Sequence, residues 1–265
     1  MYATSYHRAA SVDEAVNLRS SHDEGRYLSG GMTLIATMKQ RLAAPSDLID
    51  LRHIEALRGI TVDGRRVRIG AATPHAEVAG SAAIKALCPA FSYLAGTIGD
   101  PHVRHMGTIG GSVANNDPAA DYPAALLALD ATIVTDRREI PAGAFFTGLF
   151  ETALEEAEMI TAIGFEAPEK AGYAKFTNPA SRYSLTGVFV AQTASGIRVS
   201  VTGAGADGVF RVAAMEEALG RSWSPDAVSS CFVDPAAMMS DMHASAEYRA
   251  NLVRVMAKRA VMAAG

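Results

Sequence analysis

Residues 107–131 read GTIGGSVANNDPAADYPAALLALDA. Small residues, backbone amides and hydroxyls are concentrated between Thr108 and Asp121, inside a glycine-rich loop expected over residues 96–121. A loop of this kind can surround a diphosphate with N–H donors and needs no lysine to do so. Thr108, Ile109, Gly110, Gly111 and Ser112 are its densest part. Pro123 then opens an apolar helical run, and Ala131–Thr135 has the β-branched character of a strand. Asp121 stands just ahead of that helix. Its carboxylate could accept from ribose hydroxyls or cap the helix, and the residues alone leave both open.

Working outward, a second double glycine lies at Ser29-Gly30-Gly31-Met32-Thr33, between a short strand (residues 26–28) and a helical pattern carrying Leu34, Ile35, Met38 and Leu42 on one face. Thr33 is placed to cap that helix, whose free N–H groups favour an anion. A diphosphate fits this arrangement, and so does a plain tight turn. Upstream, Ser11 and Glu14 have the spacing of a capping box before a helix with Val12, Ala15 and Val16 inward. Residues 48–51 read as a strand. These elements make residues 1–55 one small α/β unit.

Residues 56–170 form a second α/β unit. It opens on a hairpin signal, Asp63-Gly64 followed by the alternating Arg66-Val67-Arg68-Ile69. Residues 171–265 change character. Strands at 188–193 and 197–202 flank Ser195-Gly196, a short third strand is expected at 209–212, and helices follow near 213–219, 225–231 and 245–263. Gly203-Ala204-Gly205-Ala206-Asp207-Gly208 matches G-x-G-x-x-G, but a strand and not a helix comes next, so it is read as a turn rather than a dinucleotide fingerprint.

Composition narrows the function. A 49% hydrophobic and 20% charged chain of 265 residues can bury a sizeable core. Its net charge of −4 offers no footprint for nucleic acid. No run approaches the roughly 18 apolar residues of a membrane span, and the N-terminus lacks a signal-peptide core, so a cytoplasmic protein is expected. Two cysteines, Cys88 and Cys231, are too few for a four-thiolate iron–sulfur cluster and are read as buried, reduced thiols. His102 and His105 lie three apart without a third ligand nearby, so no metal site is assigned. No hydrolase elbow or P-loop is present.

The two glycine stretches, SGGMTLIATMK (29–39) and residues 107–131, resemble the FAD-binding medium subunits of the xanthine dehydrogenase and aerobic carbon monoxide dehydrogenase family. The stretch KFTNPASRYSLTGVFVAQTASGIRVSVTGAG (175–205) resembles the carbon monoxide dehydrogenase type most closely. The resemblance implies an α+β architecture: two α/β subdomains in a vanillyl-alcohol-oxidase-like (PCMH-type) FAD fold, then a C-terminal domain with a small antiparallel sheet and helices. It implies FAD as cofactor, held at the diphosphate by Ser29–Thr33 and Thr108–Ser112. Asp121 matches an acid that contacts the cofactor, Ile160 and Lys175 match positions lining the flavin pocket, and Tyr183 matches an aromatic beside the isoalloxazine. Met32 departs from the family's usual small or polar residue.

The partners implied are a small subunit with two [2Fe-2S] clusters and a large molybdopterin subunit. They form a heterotrimer, expected to dimerise. Electrons would pass through FAD to an external acceptor, with carbon monoxide among the possible substrates and the inner membrane as one place for the acceptor. The alternatives are a self-sufficient FAD oxidoreductase of the same fold and a non-enzymatic flavin scaffold. The former needs an acid or base over the flavin, and none is nominated.

Overall fold

The computed structural model describes residues 1–265 and holds three main sheets in succession. The first has strands β1 (Ser5–Arg8), β2 (Arg26–Leu28) and β3 (Asp47–Asp50), all parallel in the order β1-β3-β2. Strand β1 was not foreseen. It is four residues long, mostly exposed and polar, and so carries no periodic signal. The helix Val12–Ser20 begins as expected: Ser11 Oγ accepts from the Glu14 amide at 3.1 Å, while the Glu14 carboxylate accepts from the Ala10 amide at 2.8 Å.

The helix after the first double glycine runs only over Leu34–Lys39. Arg41 takes φ +61°, and the amides of Arg41 and Leu42 turn back to the carbonyls of Met38 and Thr37. This is a Schellman stop, which throws Leu42 out to 75% exposure instead of onto the expected apolar face.

The second sheet contains β4 (Ile60–Asp63), β5 (Arg66–Gly70), β6 (Thr132–Thr135), β7 (Glu139–Pro141) and, after the small hairpin of β8 (Phe146–Gly148) and β9 (Glu151–Thr152), β10 (Ile160–Glu166). Its order is β4-β5-β10-β6-β7, antiparallel throughout, so the last strand closes the middle. The Asp63-Gly64 hairpin is present, with Asp63 opposite Arg66.

The supposed loop 96–121 is partly helical. Asp100 caps Pro101–Met106 by accepting from the Val103 amide at 2.9 Å. Thr108 caps Ile109–Asn115 by accepting from the Gly111 amide at 3.2 Å. The glycines masked this second helix, because they lower intrinsic helix propensity while the cap and the surrounding packing impose the turn.

The third sheet, β11 (Lys170–Thr177), β12 (Ser184–Thr193), β13 (Gly196–Thr202) and β14 (Phe210–Arg211), is an antiparallel meander. Gly203–Gly208 is the turn between β13 and β14, as the strand after it required. Both faces of β12 are covered. Phe189 and Ala191 join the core of the second sheet and the helix Tyr122–Ala128, whereas Val188 and Val190 face the long helix Ala246–Ala264. That helix crosses β11 at Gly172, where a Cβ would overlap the Ala260 carbonyl. The second and third sheets are thus joined by one continuous core. No helix is long and apolar enough to cross a membrane.

Candidate functional site

A cleft of about 680 Å³ opens where the carboxyl ends of β2 and β3 meet the helix Ile109–Asn115. Its size is that of a cofactor site, about 300–1,000 Å³. Ligands gather at strand carboxyl ends in α/β units because helix N-termini and turn amides converge there. The two double glycines, far apart in sequence, face each other across it. Ser29 Oγ and Thr108 Oγ1 are 2.9 Å apart and tie the motifs together.

The glycines divide by task. A Cβ on Gly30 would overlap the Met106 carbonyl oxygen, and one on Gly110 would meet Ala71 at 2.5 Å, so these two allow backbone segments to touch. Gly31 takes φ +70°, which a side chain would strain. Gly111 is different: its missing Cβ would meet only Thr108 Oγ1 at 3.0 Å and Ser29 Cβ at 3.9 Å, so its open face is the cleft wall.

The amides divide as well. Those of Ile109 and Gly110 donate to the carbonyls of Thr73 and Ala71, and that of Gly111 to the Thr108 hydroxyl. They are therefore not the free donors expected of a loop. The amides of Gly30, Gly31, Met32 and Thr33 make no hydrogen bond within the chain, and Thr33 does not cap its helix with its side chain. The concave run of donors thus lies in the first motif. It fits a diphosphate, while the apolar patch supplied by Leu57, Ile98, Val103 and Ile160 suits a planar ring system.

Ser29–Thr33, Thr108, Gly110–Ser112, Asp121, Ile160 and Tyr183 all line the cleft. Ile109 and Lys175 do not. Ile109 is fully buried in the core. The Lys175 ammonium lies behind Asp121, donating to its two carboxylate oxygens at 3.0 and 3.2 Å and to the carbonyls of Thr97 and Arg182. Tyr173 and Ser184 hydroxyls also donate to Asp121. Asp121 makes no side-chain cap on its helix, because the cluster from β11 and β12 consumes its carboxylate. Sequence inspection could not find Tyr173 or Ser184, which approach only through the third sheet.

Other wall residues carried no motif. His75 is buried beside Tyr122, and burial, aided by Arg104, lowers its pKa to about 4, so the ring is neutral at pH 7. The Arg138 guanidinium forks onto Glu158 and holds its carboxyl at about 2. Asp117 has no cationic partner, and burial raises its pKa. Tyr183, 46% exposed, stands at the cleft mouth; burial of its hydroxyl and the charge of Asp117 raise its pKa.

His102 and His105 are exposed, with His105 turned to the Pro101 carbonyl. A different trio, His7, His22 and Asp47, is brought together by the first sheet and the end of the helix Val12–Ser20. Sequence separation had hidden it.

A family model for the FAD binding domain in molybdopterin dehydrogenase matches residues 2–166. The nicotine 6-hydroxylase medium subunit of Paenarthrobacter nicotinovorans is 33% identical over 99% of this chain and 98% of its own length. The carbon monoxide dehydrogenase medium chain of Hydrogenophaga pseudoflava is 33% identical over 98% and 96%. A solved carbon monoxide dehydrogenase from the same organism superposes with a TM-score of 0.89 over 99% of this chain and 97% of that one. With this fold, this cleft and full-length likeness to medium subunits, the chain belongs to the FAD-binding medium subunits of the molybdenum hydroxylases.

Proposed function

We propose that this chain is the flavin relay of a heterotrimeric molybdenum hydroxylase. It would take electrons from the [2Fe-2S] clusters of a small subunit and deliver them to an external acceptor, while a large molybdopterin subunit oxidises the substrate. FAD supplies the chemistry of exchanging one or two electrons, which joins one-electron clusters to a two-electron acceptor. The observation that carries the reading is the set of unpartnered amides at Gly30–Thr33, facing the open side of Gly111 across the cleft.

In this reading the Gly30–Thr33 amides bind the diphosphate. The hydroxyls of Ser29, Thr33, Thr108 and Ser112 surround it, and Ile160 supports the ring system. Tyr183 packs at the isoalloxazine edge. Asp121, fixed by Lys175, Tyr173 and Ser184, is a rigid acceptor for cofactor hydroxyls. Lys175 acts through Asp121 and does not touch the cofactor. Residues 1–55, 56–170 and 171–265 are the working units. Carbon monoxide is one candidate substrate of the assembled enzyme, on the strength of relatives named for it.

The self-sufficient alternative has one foothold. Asp117 is the cleft carboxylate without a cationic partner, and it lies beside Tyr183. The purified chain, loaded with FAD, is therefore assayed alone with carbon monoxide, aldehydes and N-heterocycles and an artificial acceptor. The relay shows no turnover until small and large subunits are added. Turnover by the lone chain, abolished in Asp117→Asn, would establish the alternative.

A further inference from the structure

His7 lies on β1, His22 just beyond the helix Val12–Ser20, and Asp47 opens β3. Asp47 starts the strand whose far end leads to Leu51 on the cleft wall, about 13 Å away at ~3.3 Å per residue. None of the three residues lines the cleft. Their ligand atoms all lie within 4.8 Å of one another. His7 Nε2 is 2.6 Å from Asp47 Oδ1, and His22 Nε2 is 3.7 Å from the same oxygen.

The orientation of His22 gives the second observation. Its Nδ1 is 2.7 Å from the Leu18 carbonyl oxygen, which can only accept. Nδ1 therefore carries a proton, and Nε2 is the nitrogen turned toward the Asp47 carboxylate. That is the ring atom a cation held by Asp47 would take as its ligand. A ligating imidazole whose other nitrogen donates to a backbone carbonyl is the arrangement that metal sites use to fix ring orientation and tautomer.

We propose that His7, His22 and Asp47 form a three-ligand site for a divalent cation of the zinc class, separate from the cofactor cleft. Two imidazoles and one carboxylate favour such an ion over calcium or magnesium, which prefer all-oxygen sets. Ligands at tetrahedral positions around zinc lie about 3.3 Å apart. The His7–Asp47 separation opens by about 0.7 Å to reach this, and the His22–Asp47 separation closes by about 0.4 Å. Both histidine side chains are about one-third exposed or less, at 28% and 33%, which leaves room for the adjustment and for water as the fourth ligand. In apo protein His7 Nε2–H donates to Asp47; on binding, the cation takes that place and the ring proton moves to Nδ1. The ion would join β1, the end of the first helix and β3, and so stabilise the N-terminal unit by mass action.

The test uses the tag-free, FAD-loaded chain, stripped with a chelator and titrated with Zn²⁺ against a chromophoric competitor. One equivalent is expected to bind. In His22→Asn and His7→Asn, binding weakens by more than the roughly 10- to 100-fold that loss of an outer-shell partner costs. The melting temperature should rise with Zn²⁺ in the parent and in neither variant, while FAD content, the check on folding, stays unchanged in all three. In the parent itself, ¹⁵N resonances of the His7 and His22 Nε2 atoms should shift and those of the exposed His102 and His105 should not. Absence of stoichiometric binding, equal affinity in parent and variants, or unshifted His7 and His22 resonances would each overturn the assignment. FAD binding and relay activity can survive that outcome, because no residue is shared with the cleft.

Discussion

Replacing Lys175 by Met separates a structural strut from a cofactor contact. The ammonium and the Asp121 carboxylate are each 5% exposed, and the ammonium donates to that carboxylate at 3.0 and 3.2 Å. Methionine keeps most of the aliphatic packing but leaves the carboxylate buried without its cation. Breaking one side of a buried ion pair costs about 3–5 kcal/mol. The Tyr173 and Ser184 hydroxyls continue to hold Asp121, which places the loss at the low end, about 3 kcal/mol. For a chain of this size that lowers Tm by roughly 6–12 °C. The assay is thermal melting of apo and FAD-loaded protein, with FAD titration well below both transitions. Lys175→Met should melt low yet bind FAD within a few-fold of the parent once folded. The double variant Lys175→Met/Asp121→Asn should recover most of the lost stability, since the two residues are coupled. A shift under about 2 °C together with collapsed FAD affinity would refute the strut and return Lys175 to the flavin pocket.

Gly111→Val should lose FAD with the fold intact, whereas Gly30→Ala and Gly110→Ala should lower Tm first, because their Cβ atoms would strike backbone; equal behaviour of the three in melting and flavin content would contradict this division. Tyr183→Ala should barely change Tm, given its 46% exposure, while altering the flavin absorbance envelope and slowing reduction by the partner subunit; an unchanged spectrum and rate would move Tyr183 off the flavin. Glu158 is held at about 2 against 4.5 unfolded, chiefly by Arg138. Its lowered folded pKa means its stabilisation is full above 4.5 and is lost as pH falls from there toward 2. Arg138→Met should therefore be less stable than the parent at pH 7, and the gap should shrink across that acid window; a gap constant with pH would sink the assignment.

The sequence by itself determined the elements whose signal is local. The capping box at Ser11 and Glu14, the Asp63-Gly64 hairpin, the 188–202 hairpin and the turn nature of Gly203–Gly208 all rest on short-range spacing. Both double glycines were legible because strand, glycine pair and helix follow in order, and the family likeness they carry extended that reading to FAD. Tertiary structure decided which donors are free. Gly110 and Ile109 spend their amides on Ala71 and Thr73, partners some 35 residues away, so the donor run falls to Gly30–Thr33. It also removed one of the two roles that local sequence offered Asp121, the helix cap. The third sheet brings Tyr173, Lys175 and Ser184 onto the carboxylate and fixes it in the cleft wall, away from the helix amides. His7 and Asp47 became neighbours for the same reason, with His22 brought to them from the end of the helix Val12–Ser20: β1 and β3 pair in parallel, and a parallel pairing joins residues whose sequence separation no local pattern can encode.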